Sequence, residues 1–183
     1  PAGADNGFSG DYAGYTPTTK VNGGFAKIRG LELNFSQQFT FLPGWWSGFA
    51  AVANFTKLDA EGHYNAGNAI AVAPTAKVAG FNPTGANLGI SYIRNKVSLR
   101  AQFNHRGRYL VGYNATQSAQ VFAKARNVVD IKTGYQISKR FDLYLNVDNV
   151  FNEADLAQEM YGGYPQVFIK ISPLFQFGIN ARY

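Results

Sequence analysis

From Val167 to Tyr183 the side chains alternate between an apolar set and one that is mostly polar or small. Val167, Ile169, Ile171, Pro173, Phe175, Phe177, Ile179, Ala181 and Tyr183 fall on one side, and Phe168, Lys170, Ser172, Leu174, Gln176, Gly178, Asn180 and Arg182 on the other. A repeat of two is the repeat of a β-strand, whose successive side chains point to opposite faces. The run is longer than the 3–10 residues of an ordinary strand. A chain built this way must form a sheet with one apolar and one polar face.

The pattern recurs upstream, and it predicts seven strands at roughly 25–41, 48–59, 80–93, 97–112, 121–138, 141–150 and 164–183. Their polar positions include Glu32, Asn34, Arg100, Gln102, Asp130, Lys132, Asp142, Asn146, Asp148, Lys170 and Arg182. Connections at 43–47, 94–96 and 138–140 are short, whereas 60–79, 113–120 and 151–163 are longer. Short turns at one end and long loops at the other mark a transmembrane β-barrel, with the short turns periplasmic. Phe41, Trp45, Trp46, Phe49, Tyr92, Tyr135, Phe141 and Tyr183 lie near strand ends, where an interfacial aromatic girdle belongs.

A soluble antiparallel sandwich also alternates. Its inner face, however, would have to bury Glu32, Arg100, Asp130, Lys132 and Asp142, at a cost of several kcal/mol for each unpaired charge. A water-filled lumen removes that cost. Mean hydropathy of −0.18 is compatible, because only half of each strand needs to be apolar. An odd strand count leaves the ends of the set on opposite sides of a membrane, whereas a bacterial barrel is even-numbered. The seven strands are therefore expected to be part of a larger barrel. The segment Ala69–Ala73 is the place for an overlooked strand, and one there would instead make a small complete barrel.

Composition narrows the chemistry. Cysteine is absent, which excludes disulfides, thiolate metal sites and thiol nucleophiles. No apolar run reaches the length of a membrane helix. The net charge of +6 raises nucleic acid as a partner, but Lys and Arg are scattered singly along strands, and no nucleic-acid partner is expected. No nucleophile motif or phosphate-binding loop is present. Asp142 and Asp148 are six residues apart on one strand, about 20 Å at ~3.3 Å per residue and too far for paired acid–base work. Neither enzymatic activity nor a cofactor or metal is expected. Asp59, Glu61 and His63 read as solvated loop charges. His105, Arg106 and Arg108 read either as a solvated rim or as a contact to lipopolysaccharide phosphates.

Three stretches carry a family resemblance. Gln176-Phe177-Gly178-Ile179-Asn180-Ala181-Arg182-Tyr183 resembles the C-terminal signal read by the outer-membrane assembly machinery, through Gln176, Gly178, Ala181 and Tyr183. Leu143 to Glu153 resembles the penultimate-strand signature of TonB-dependent receptors, and Ile28-Arg29-Gly30-Leu31-Glu32-Leu33-Asn34-Phe35 resembles a strand of the same family. The stretches occur in family order. The resemblance implies that the chain is the C-terminal portion of one outer-membrane barrel domain of about 22 strands, whose lumen is plugged. It also implies a plug domain and TonB system, read from sequence N-terminal to this region, and a bacterial outer-membrane location among lipid and lipopolysaccharide. The implied function is import of a scarce substrate of the siderophore, cobalamin or oligosaccharide class, by binding and gated passage. Tyr109, Tyr113, Tyr161 and Tyr164, on the extracellular loops of such a barrel, are the candidate ligand contacts; Tyr offers apolar area and a hydrogen bond together. An upper aromatic belt is the plainer role for the same residues. A general porin, a small structural barrel and a secreted β-sheet lectin or adhesin remain the alternative functions.

Overall fold

The alternation resolves into two sheets of different kinds. A computed structural model describes residues 10–11, 13–16, 24–64, 75–114 and 116–182. The strands among them are β1 (Gly24–Gln38), β2 (Phe49–Tyr64), β3 (Thr75–Lys77), β4 (Thr84–Arg94), β5 (Val97–Arg106), β6 (Tyr109–Gly112), β7 (Val121–Ala123), β8 (Arg126–Gln136), β9 (Phe141–Asp148), β10 (Leu156–Met160), β11 (Pro165–Ile169) and β12 (Leu174–Ala181). The long sheet runs β1-β2-β4-β5-β8-β9-β12, with β3 paired to β2. The short sheet runs β11-β10-β7-β6. All pairings are antiparallel, and β1 and β12 remain as the two edges of the long sheet, which does not close on itself.

Directly paired residues of antiparallel strands share a face, so the register can be followed across the long sheet. Ala51, Ile90, Ala101, Ile131, Val147 and Phe175 form one row, and Phe49, Tyr92, Leu99, Thr133, Leu145 and Phe177 form the next row on that face. On the reverse face Gln38, Ala50, Ser91, Arg100, Lys132, Asn146 and Gln176 line up. The strand-by-strand alternation therefore adds up to two coherent faces. A one-residue slip anywhere would interchange them.

Three of the expected strands are each two strands. The stretch 97–112 breaks after Arg106, where the Gly107 N–H donates to Thr84 O and the chain leaves the end of β4. The stretch 121–138 breaks at Lys124, whose N–H donates to Ala157 O of β10. The stretch 164–183 breaks at Lys170–Pro173, and Pro173 lacks the N–H that would continue a ladder. The segment 151–163, expected to be a loop, contains β10. Residues 60–64 extend β2 beyond its pairing with β4, which ends at Lys57–Thr84. The Ala69–Ala73 segment lies outside the described residues.

At the short-turn end Trp45 and Trp46 stack with ring centres 3.9 Å apart, and Phe49 packs against Tyr92 at 4.8 Å. Arg94 donates to Gly44 O across this cluster. Packing differs between the long sheet and strands β6 and β7 of the short one. Phe175 and Phe177 stand 66% and 84% exposed on the long sheet, while Leu110 and Ala123 of the short sheet are buried at 2% and 0%.

Candidate functional site

The short sheet stands at the end of the long sheet opposite the short turns and carries all four singled-out tyrosines. Met160 pairs with Val121, which in turn pairs with Gly112. At this far rim the β10–β11 turn presents Tyr161, 47% exposed, and Tyr164, 71% exposed. The turn is fixed by Met160 N–H donating to Tyr164 O at 2.8 Å and Tyr161 N–H donating to Gln120 O at 2.9 Å. Gly162 and Gly163, at φ +88° and +86°, supply the left-handed backbone that a side chain would resist. Tyr113 follows Gly112 directly, at the same rim. Tyr109 lies at the near end, opposite Ala123, with the Arg106 guanidinium 5.2 Å from its ring centre. It belongs to strand β6 rather than to a loop.

Beneath the rim lies an ion network that sequence reasoning missed. Arg108 Nε donates to Glu159 Oε1 at 2.7 Å, Lys124 Nζ lies 3.6 Å from Glu159 Oε2, and the Arg108 guanidinium covers the Phe122 ring at 3.8 Å. The Arg108 hydrogen bond, above all, holds the Glu159 carboxyl below its ordinary range. Arg126 reaches Asp155 at 2.9 Å and Ala154 O at 3.0 Å. These partners lie 28 to 51 residues apart in sequence, and β10 itself, Leu-Ala-Gln-Glu-Met, does not alternate. The one sequence signal was the apolar residue at each end of β10. A cavity of about 210 Å³ lies between this sheet and the β2–β4 region, lined among others by Ala60, Phe81, Leu110 and Phe122.

On the polar face of the long sheet Asn34, Asn54, Asn87 and Asn104 stand in register on four adjacent strands. Glu32 lies opposite Thr56, Gln102 opposite Asp130, Arg100 opposite Lys132, Asn146 opposite Gln176, and Asp148 opposite Leu174. Asp142 sits between Gln136 and Asn180 and pairs with Arg182 at the short-turn end. Lys170 is different: it lies in the link between β11 and β12, off both sheets. Asp130 accepts the Asn149 N–H at 2.8 Å, and Asn149, at φ +56°, closes a reciprocal pair of bonds with the Glu153 backbone. Gly178 pairs with Tyr144, and a Cβ there would meet the Tyr144 hydroxyl oxygen at 2.7 Å. Ala181 pairs with Phe141. Tyr183 lies outside the described residues.

His105, on the apolar face, shares a hydrogen bond between its Nδ1 and Asn127 Oδ1 at 2.7 Å. Asp59, Glu61 and His63 belong to strand β2 and not to a loop; Asp59 pairs with Lys77 at 2.6 Å, and His63 stacks on Phe25 at 5.2 Å. Among the described residues no group of His, Asp and Glu is placed to hold a metal ion.

A family model described as TonB dependent receptor-like, beta-barrel, matches residues 2–150. Two solved structures share the architecture. The ferric-catecholate import receptor Fiu of E. coli K12, in a closed form, superposes with a TM-score of 0.64 at 18% identity, covering 87% of this chain and 21% of that one. The siderophore receptor PiuA of Acinetobacter baumannii superposes at 0.61 and 17% identity, covering 87% of this chain and 22% of that one. At such identity the likeness is one of fold, and the chain spans about a fifth of the length of these structures. No curated protein matches.

Proposed function

This chain belongs to the TonB-dependent receptor β-barrel family, and from that premise we propose that it forms the C-terminal wall of a receptor importing a scarce solute across the outer membrane. The family is one of transport receptors of the Gram-negative outer membrane. The observation that carries the reading is the pair of coherent faces continued through seven strands to two open edges. Backbone groups at an open edge in lipid each cost several kcal/mol, so both edges pair with further strands of one barrel domain. Residues 1–183 are then one portion of that domain.

In this reading the apolar rows meet lipid. Glu32, Asn34, Arg100, Gln102, Asp130, Lys132, Asp142, Asn146 and Asp148 face a lumen filled by a plug. Arg182 stays at the periplasmic end with Asp142, and Lys170 lies where the wall meets the outer sheet. The outer sheet forms part of the substrate vestibule, where Tyr113, Tyr161 and Tyr164 contact a siderophore, cobalamin or oligosaccharide and Tyr109 supports them from below. Gln176, Gly178, Ala181 and Tyr183 serve the assembly machinery, His105 meets lipopolysaccharide phosphate, and the TonB system acts through the plug. The work is binding and gated passage, with no covalent chemistry.

The test is uptake by the full receptor in cells lacking their own receptors. Radiolabelled ferric chelates, cobalamin and oligosaccharides are offered with and without a functional TonB system. The expected result is TonB-dependent uptake of one class, lowered at least tenfold by combined Tyr113→Ala, Tyr161→Ala and Tyr164→Ala with barrel assembly intact. TonB-independent diffusion of all three classes would make the protein a porin and overturn the reading.

A further inference from the structure

The seam between β5 and β8 carries two pairs of like charge on the polar face: Arg100 opposite Lys132, and Arg106 opposite Arg126. Like charges directly opposite one another destabilise a sheet. In the second pair Arg126 reaches Asp155, and Arg106 lies against Tyr109 although its Nε has no hydrogen-bond partner. The first pair has neither contact. Neither Arg100 nor Lys132 has a side-chain hydrogen bond or ion pair among the described residues. Asp130, two positions along β8 on the same face, accepts the Asn149 N–H instead. The row on either side of the pair is neutral, Ser91 and Asn146.

We propose that Arg100 and Lys132 together dock a carboxylate of the domain that fills the lumen. The proposal rests on the lumen reading above. Cross-strand neighbours have Cβ atoms about 5 Å apart, close enough for one carboxylate to take the Arg100 fork and the Lys132 ammonium at once. A carboxylate between the two cations removes the repulsion and gains charge-assisted bonds. Height selects the occupant. Arg100 is three residues from the start of β5, about 10 Å from the β4–β5 turn. It therefore lies in the half of the wall away from the tyrosine rim, where a plug and not arriving solute is in contact.

Zero-length carbodiimide coupling tests this, because it joins a lysine amine only to a carboxylate already in contact. The full receptor is treated in outer-membrane vesicles, digested and read by mass spectrometry. The expected result is a link between the Lys132 peptide and an Asp or Glu of the N-terminal domain, lost in Lys132→Arg, which keeps the charge but cannot couple. Lys132 left unlinked while other barrel lysines couple to that domain would overturn the proposal, as would a link from Lys132 to a barrel carboxylate. Tenfold weaker binding of a ferric catecholate complex by Arg100→Gln/Lys132→Gln, without a domain link in the parent, would assign the pair to solute and likewise overturn it. If intact mass shows no N-terminal domain at all, the receptor reading itself fails, and that is a separate outcome.

Discussion

The two sheets differ most in what they do with large apolar side chains. On the long sheet Leu143, Leu145, Phe177 and Ile179 are 40–84% exposed, row after row on one face. On strands β6 and β7 of the short sheet Leu110 is 2% exposed and Phe122 is covered by the Arg108 guanidinium, while the edge strand β11 leaves Phe168 and Ile169 at 66% and 47%. A sheet in water has to cover its apolar face with itself. A sheet in lipid need not, because the solvent is as apolar as the face. The proposed receptor accounts for that as one sheet for each solvent, with the chain crossing between them after β5, β7, β9 and β11. That contrast can be broken at several points.

The all-or-none test is sidedness. Residues 1–183 contain no cysteine, so a single replacement there is read against the unsubstituted receptor labelled in parallel. A cysteine at Tyr161, on the rim of the short sheet, should be labelled in intact cells by an impermeant maleimide, and one at Lys139, in the β8–β9 turn, only after lysis. Labelling at 139 with protection at 161 would invert the orientation of both sheets.

Next in size is a charge on the lipid face. Leu145→Arg lies in the row of Leu99, Thr133 and Phe177 and should cost about 2–4 kcal/mol near the bilayer midplane. Asn146→Arg, one residue on and on the opposite face, should cost far less. Urea unfolding of the full receptor in liposomes compares them, and equal losses would dissolve the distinction between the faces.

A water-side core predicts the opposite sensitivity. Leu110→Ala should destabilise the short sheet by about 2 kcal/mol, near the low end for such truncations, since the site already borders a cavity. Hydrogen exchange should accelerate in residues 109–123 and 156–169 while the long sheet keeps its protection. Uniform acceleration would mean that the sheets unfold as one unit.

These expectations show how much was legible. Alternation located β1, β2, β4, β9 and the long-sheet parts of the other three strands because side-chain parity is local. It failed where a break preserved parity: Ile171 and Pro173 keep the apolar phase from β11 into β12, although the chain changes sheets between them. It also missed β10, whose place is set by β7 and β11 and not by its own pattern. The tyrosines were found as residue types, but their gathering on one sheet, and the Glu159 network beneath them, depend on pairings far apart in sequence. The glycine at 178, singled out as part of an assembly signal, has a second, structural reason to be glycine: the Tyr144 ring lies over it. Gly178→Val should cost about 1–2 kcal/mol by overpacking, and Tyr144→Ala should relieve it in the double variant. Lost assembly without relief would leave the signal as the whole reason.

The smallest effect concerns charge on the water side. Glu159 is only 12% exposed at its side chain, and Arg108 lowers its proton affinity first by hydrogen bonding and then by charge, with Lys124 adding to it. A carboxyl held below its unfolded-state pKa of about 4.3 contributes stability that is fully present above that value. The contribution is lost as pH falls through the lower, folded-state pKa, because the unfolded chain then binds the extra proton. Arg108 is 45% exposed, so solvent screening limits the pair to about 0.5–1 kcal/mol. Hydrogen-exchange protection in residues 109–123 and 156–169 should therefore be flat from pH 8 to about 5 and fall below about 4. Glu159→Gln should lower it throughout and remove much of the acid-dependent step. The long-sheet strands at the level of Leu145 and Phe177, whose apolar rows carry no carboxylate, should show no such step, and an equal acid response in both sheets would mean that the Arg108–Glu159 pair does not set it.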